Sequence, residues 1–162
     1  TLGSIVTRNA DVPSLTGASA LLGDSEGGMF IEFSTFDNTT DKRISLSDGT
    51  STNRVIFLFS SSISFLVINS SGAQASISGG AMSANTFYKL AAGYAPNDFA
   101  LYLDGIEKGT DSSGTTYADG TLTNINFAGG NTTGLFFFGR IRQLVHFNQR
   151  PTNTQLDAIS TP

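Results

Sequence analysis

The stretch LFFFGRIRQLVHFNQRPTNTQLDAI, Leu135 to Ile159, decides the fold. Its first half, Leu135 to Phe147, is a β-branched and aromatic run of the kind that suits a pleated, half-buried surface. The run stops at Asn148-Gln149-Arg150-Pro151, where the residue before the proline is pushed to extended geometry. Thr152-Asn153-Thr154-Gln155 then sets a threonine ahead of a glutamine at the spacing that lets two side chains satisfy orphan amides at a helix start. Leu156 and Ile159 give this short helix one apolar edge. A long strand closing on one short helix, in a chain otherwise patterned as strands, predicts an all-β fold. The expected architecture is a two-sheet antiparallel β-sandwich whose last strand crosses the core, with one short C-terminal helix.

Working outward, the strongest local signal is FALYLDGIEKGT, Phe99 to Thr110. Asp104-Gly105 is a preferred two-residue hairpin turn, because both positions accept positive φ. The turn predicts a register in which Leu103 opposes Ile106, Tyr102 opposes Glu107 and Leu101 opposes Lys108. Phe99, Leu101, Leu103 and Ile106 would then share the core face, with Tyr102 and Glu107 looking outward. Further strands are read at Met29 to Phe36, Arg43 to Ser47, Arg54 to Phe59, Ile63 to Ile68, Gln74 to Ser78, Thr86 to Tyr94 and Leu122 to Phe127. Met29, Ile31 and Phe33 alternate with Phe30, Glu32 and Phe36, so that strand is expected to be covered on both faces at least in part. Ser4 to Thr7 reads as a short edge strand. Strands at this close spacing, with turn residues between them, argue a sandwich or barrel. The whole chain, 1–162, is taken as one domain, with 1–26 an edge strand and loop lead-in.

Composition excludes several classes of function. Charged residues are 14% of the chain, against the usual quarter, and Ser, Thr, Asn and 18 Gly supply the polarity. The net charge is −4 and the basic residues are scattered, so nucleic acid is not an expected partner. No cysteine and a single histidine exclude a disulfide framework, a thiolate metal site and a multi-histidine centre. No apolar run approaches the ~20 residues of a membrane span. No signal-peptide pattern opens the chain. Work outside a cell would therefore follow from cleavage, from membership of a larger protein, or from a virion.

FALYLDGIEKGT followed by GRIRQLVHFNQRPTNTQLDAI resembles the laminin G-like, concanavalin A-like lectin/glucanase jelly roll. In that family a valine/leucine-tyrosine-x-asparagine/aspartate-glycine hairpin precedes a final glycine-x-isoleucine strand and a short capping helix. The phrasing is most similar to modules embedded in bacteriophage tail fibres, and the resemblance spans Gly27 to Ile159. It implies two stacked antiparallel sheets, one concave, with a role in binding or scaffolding. Laminin G modules often hold calcium at the rim. Here Asp37 and Asp41 share a turn, but no run has calcium-loop spacing, so no cofactor is expected. Hydrolases of this fold carry an E-x-D-x-x-E strand, whereas this chain has only Glu26, Glu32 and Glu107, none in that spacing.

The candidate site residues are weighed on the same terms. Glu32 lies mid-strand, and a retaining glycosidase needs two carboxyls about 5–5.5 Å apart, which leaves Glu32 without an evident partner unless a bend brings Glu26 round. It reads as a carboxylate reaching solvent or pairing with an arginine. His146 reads as a partly buried, hydrogen-bonded structural histidine. In related last strands its position is commonly aliphatic or tyrosine, and the resemblance implies a bulge near Gln143 that keeps Ile141, Leu144 and His146 on one face. Arg140 and Arg142 stand on one side of the last strand and suit the carboxylate of a sugar. Tyr88, Tyr94, Tyr102 and Tyr117 are the expected exposed aromatics, and Tyr88, Tyr94 and Tyr102 join the two arginines as candidate ligand-binding residues. The phenylalanines are assigned mostly to the core.

The function expected on these grounds is that of a non-catalytic carbohydrate-binding or structural module of a phage tail appendage. Its partner would be a polysaccharide or host-surface glycan, its place a virion or the extracellular space, and its assembly a homo-oligomer within a fibre. The alternative is a carbohydrate-binding module of a secreted bacterial polysaccharide-degrading enzyme, with a glycoside hydrolase or lyase of the same fold behind it.

Overall fold

A computed structural model describes residues 13–130 and 135–162. The expected edge strand Ser4 to Thr7 lies outside the described residues. Among the described residues eleven strands run in the order β1 (Ser14–Leu15), β2 (Gly27–Thr35), β3 (Lys42–Ser47), β4 (Arg54–Phe59), β5 (Ser62–Asn69), β6 (Gly72–Ala81), β7 (Tyr88–Ala95), β8 (Asp98–Leu103), β9 (Ile106–Asp111), β10 (Asn124–Asn126) and β11 (Gly139–Phe147), closed by α1 (Asn153–Ser160). They form two antiparallel sheets, ordered β1-β10-β3-β4-β5-β6 and β11-β2-β7-β8-β9. The predicted sandwich with one C-terminal helix is what forms.

The period-2 pattern of the strands builds the core between the sheets. Met29, Ile31 and Phe33 of β2 meet Val55, Phe57 and Phe59 of β4, and Ile63, Phe65 and Val67 of β5. Phe33 and Phe59 lie 4.3 Å apart between ring centroids. Each such side chain contributes roughly 1.5–3 kcal/mol by leaving water, before conformational entropy is set against it.

The Asp104-Gly105 turn takes positive φ at both residues, 51° and 74°. Leu103 pairs with Ile106 and Tyr102 with Glu107 as expected, but Leu101 pairs with Gly109 instead of Lys108, because β9 bulges there. Ile106 is 59% exposed and does not join the core: β9 is the outermost strand of its sheet, and Ile106 sits at the hairpin tip.

The last strand also departs from expectation. It begins at Gly139 and, among the described residues, lies at the edge of its sheet paired with β2 alone, so it does not cross the core. Leu135 to Phe138 instead bridges the two sheets. The carbonyl of Leu135 accepts from the Arg43 amide on β3 at 3.1 Å, and the carbonyl of Phe138 accepts from the Phe36 amide just past β2 at 3.3 Å. The bulge near Gln143 is present, with the register shifting between Ile141 and Gln143.

The helix forms as its capping spacing requires. The Gln155 amide donates to the Thr152 hydroxyl at 3.3 Å, and the Thr152 amide donates to the Gln155 carboxamide oxygen at 2.8 Å. α1 docks on the outer face of the β11 sheet, where Leu156 is fully buried among Phe30, Ala91, Ala100 and Tyr102. Small residues make this seat. A Cβ on Gly28 would stand 2.6 Å from the Pro151 ring that leads into the helix. The β11 sheet is thus the helix-bearing sheet, and the other, crossed on its outer face by a strap of Ala128 to Gly130, is the strapped sheet.

Candidate functional site

Outward positions on the helix-bearing sheet alternate along each strand. On β2 they are Phe30, Glu32 and Ser34, and on β11 Arg140 stands opposite Ser34 and Gln143 opposite Glu32. The bulge inserts Arg142 between them. A bulge adds one residue to one strand and re-aims the side chain it displaces. Alternation already sets Arg142 on the face of Arg140, and the bulge adds Gln143 to that face; the Arg142 guanidinium meets Glu32 at 2.8 Å. Glu32 is therefore paired with an arginine, as the sequence suggested.

Both guanidiniums also lie over aromatic rings. Arg142 stacks 3.7 Å from the centroid of Phe87, and Arg140 4.6 Å from that of Phe36. Phe36 in turn meets Phe138 edge-on, with 4.8 Å between centroids. Phe36 is 38% exposed and Phe138 57%. The result is a stripe of rings and guanidiniums along the β2–β11 edge, open to solvent. An exposed ion pair contributes ~0–1 kcal/mol and an exposed cation–π contact ~0.5–1 kcal/mol. Such contacts orient the arginines without being needed to hold the sandwich together.

The stripe runs into a groove between β11 and α1. At the stripe end, Glu32, Phe87, Lys89, Asp104, Arg142 and Pro162 line a depression of roughly 400 Å³. Glu32 and Lys89 also line the next one, with Phe30, Gln143, Val145, Phe147 and Ile159. The Lys89 ammonium donates to the Thr161 carbonyl at 2.9 Å, and its amide to the Asp104 carboxylate at 2.8 Å. Groups that hydrogen-bond and apolar walls thus face one shallow channel, which suits an extended polar ligand with an apolar side.

The structure sorts the sequence candidates. Arg140, Arg142 and Tyr88 come together here. Tyr88 lines the depression but is half-buried, packs on the core, and accepts from the Ser83 amide at 2.9 Å through its hydroxyl oxygen. Tyr94 is not exposed: it lies in the core and donates to the Gly23 carbonyl at 2.6 Å, and burial pushes its phenol far above the ordinary value. Tyr102 faces outward, but α1 covers it and leaves it 6% exposed. Its hydroxyl donates to Glu107 at 2.5 Å, and burial, followed by that hydrogen bond, pushes the phenol up to about 12. Tyr117 is likewise buried, donating to the Ile68 carbonyl at 3.0 Å. The exposed platforms are phenylalanines instead: Phe36, Phe136 and Phe138. The signal was present, since consecutive side chains in an extended run point to opposite sides and Leu135 to Phe138 cannot all face one core.

Other candidate places are already filled. On the outer face of the strapped sheet, the hydroxyls of Ser45 and Ser47 donate to the carbonyls of Ala128 and Gly130 at 2.8 and 2.9 Å. Arg54 donates to the Gly129 carbonyl, and burial followed by the neighbouring Arg43 holds its guanidinium below the ordinary value. In the Asp37 turn, the Lys42 ammonium donates to Asp37 Oδ1 at 2.7 Å, to the Thr40 carbonyl at 2.9 Å and to the Thr40 hydroxyl at 3.0 Å. Lys42 foremost, then the amides of Thr39 and Thr40, hold the Asp37 carboxyl well below the usual carboxylate range. Among the described residues, no group of three or more His, Cys, Asp or Glu could hold a metal ion. His146 is half-buried on the core side, but its Nε2 is buried with no hydrogen-bond partner among the described residues, so the expected hydrogen bond is not made there. Burial lowers its pKa. No helix of the described residues is long and apolar enough to cross a membrane.

Two antiparallel sheets, a capping helix and ring-bearing surface edges define a lectin-type jelly roll. The laminin G model of the concanavalin A-like lectin/glucanases superfamily matches residues 16–156, and the chain belongs to this family. No curated protein matches it in sequence. In structure it is similar to the CBM40 domain of a Ruminococcus gnavus IT-sialidase bound to α2,3-sialyllactose, with a TM-score of 0.74 at 12% identity over 90% of this chain and 87% of that one. It is also similar to domain 4 of an extracellular arabinanase from Geobacillus stearothermophilus in complex with arabinotriose, with a TM-score of 0.70 at 14% identity over 87% and 69%. A third similar structure is the heptameric SAP-like pentraxin of Limulus polyphemus, with a TM-score of 0.66 at 14% identity over 93% and 72%.

Proposed function

We propose that the protein is a non-catalytic carbohydrate-binding module that holds an extended glycan along the stripe and groove of the helix-bearing sheet. The observation that carries this reading is the exposed Phe36–Phe138 pair beside two ring-stacked arginines. A pyranose has an apolar face and a polar rim, and this surface offers a ring for the one and guanidinium donors for the other. Two settings fit. The hairpin and last-strand phrasing supports a phage tail appendage that recognises host-surface glycan, working as a homo-oligomer within a fibre. The similarity to domains of a sialidase and an arabinanase supports a module of a secreted polysaccharide-degrading enzyme. The non-catalytic part of the reading is supported by the engagement of both carboxylates of the depression, Glu32 by the Arg142 guanidinium and Asp104 by the Lys89 amide.

The test is a glycan array with the isolated chain, followed by incubation with each retained polysaccharide. Retention without release of new reducing ends is expected, and Phe138→Ala should abolish retention at an unchanged melting temperature. Reducing ends that disappear in Glu32→Gln would make the protein an enzyme. Failure to retain any glycan, together with tight self-association, would make it a structural piece.

A further inference from the structure

We infer that the stripe selects a sugar that bears a carboxylate, and that Arg140, not Arg142, is the group that takes it. This rests on the carbohydrate reading above and assigns the two arginines different tasks. Arg142 already has an acid: its guanidinium is paired with Glu32 at 2.8 Å and pressed on Phe87 at 3.7 Å. Among the described residues Arg140 has no carboxylate partner. Its guanidinium lies 4.6 Å over Phe36, a contact that uses one flat face of the guanidinium and leaves its edge of N–H donors free.

The neighbouring ring completes the geometry. Phe138 meets Phe36 at an interplanar angle of 64° and is 57% exposed, so the rings are not stacked in parallel and Phe138 stays open to a sugar. Residues two apart on an extended strand point to one side and stand about 6.6 Å apart, so Phe138 and Arg140 flank Phe36 at roughly the width of one pyranose. A sugar lying on Phe138 would direct a substituent at its rim toward Arg140. The planar fork of arginine matches a carboxylate through two parallel hydrogen bonds, which a neutral hydroxymethyl group cannot accept in the same way. Charge also favours the assignment. The protein carries a net −4, yet this edge presents two guanidiniums and one carboxylate, Glu32, which lies on the Arg142 side away from Arg140.

Uronic acids and sialic acids both present this chemistry, and the experiment separates them. The chain is titrated with polygalacturonate and with its fully methyl-esterified form, and in parallel with 3′-sialyllactose and with lactose. At least one acidic probe should bind at least about tenfold more tightly than its neutral counterpart, the factor expected for a charge-assisted hydrogen bond. Preference for the uronate would assign an acidic polysaccharide, and preference for sialyllactose a terminal sialic acid. Arg140→Ala should remove the preference, and Arg140→Lys should recover only part of it, because the charge returns without the fork. Arg142→Ala should leave the preference for the acidic probe in place. Equal binding of acidic and neutral probes, or a preference that survives Arg140→Ala, would overturn the inference while leaving carbohydrate binding intact. No retention of these probes or of any arrayed glycan would overturn both. Melting curves of each variant separate loss of binding from loss of fold.

Discussion

The outer face of the helix-bearing sheet has two ends that differ in almost everything but backbone. At one end Tyr102, Phe30 and Ala91 point outward and are buried, because α1 lies across them. At the other, Phe36 and Phe138 are open to water, stacked with nothing larger than an arginine or each other. The strand pattern says only which way a side chain points. What decides exposure is the size of its neighbours: Ala91, Gly93 and Ala100 leave a trough that a helix can enter, whereas bulky side chains at the far end leave none. Small outward residues on central strands are thus the mark of a covered face.

The comparison breaks most visibly at Tyr102. Tyr102→Ala empties a buried site beneath the helix and should cost about 3 kcal/mol or more in urea unfolding, as large aromatic truncations in cores do. A loss within ~0.5 kcal/mol, as for a surface position, would mean that α1 does not cover this end. Gly105→Val comes next, at about 1–3 kcal/mol. The turn holds φ at 74°, and an added Cβ would also stand 2.8 Å from the Thr161 hydroxyl just past the helix. Unchanged melting of that variant would show that the hairpin tip is not in this conformation.

A titration sharpens the same contrast. The folded Tyr102 phenol is raised to about 12 from its ordinary 10, so the folded state holds the proton more tightly than the unfolded chain. The stability this contributes is complete below about pH 10 and is lost as the pH climbs through about 12. Tyr94 and Tyr117 are raised too and act in the same sense. Urea midpoints should therefore fall over that window, less steeply in Tyr102→Phe, and an equal slope in that variant would place the effect elsewhere. The smallest effect is expected at the open end. Arg140→Ala should change stability by within ~0.5 kcal/mol in the same urea assay, since it removes an exposed contact. A larger loss would show that the open end is part of the scaffold.

Much of the fold was legible in the chain. Thr152 and Gln155 announced the helix start and Asp104-Gly105 announced the hairpin, because each is a local requirement written in adjacent residues, while the bulge near Gln143 came from the family resemblance. The candidate site was legible only in part. Arg140 and Arg142 could be found because alternation along a strand is local. The exposure of Tyr94 and Tyr102 could not be read, since it depends on segments far away in sequence: Gly23 for Tyr94, and Leu156 for Tyr102. Treating tyrosine as the surface aromatic was the specific error, while the phenylalanines do lie mostly in the core. A buried hydroxyl costs little once it has a carbonyl or carboxylate to meet.

Lys42 carries a consequence of another kind. Its side chain is 2% exposed, and its ammonium meets the Asp37 carboxylate with two more oxygens from Thr40 around it. A cation taken from solution would exchange, and its occupancy would follow concentration, competitors and chelators. A cation tethered by its own backbone does none of these things. This corner of the rim is therefore locked at a fixed stoichiometry, and melting curves in excess calcium and in chelator should overlay. A module built this way would keep its loop in place when shed into dilute surroundings, where a neighbour relying on a borrowed ion would let go.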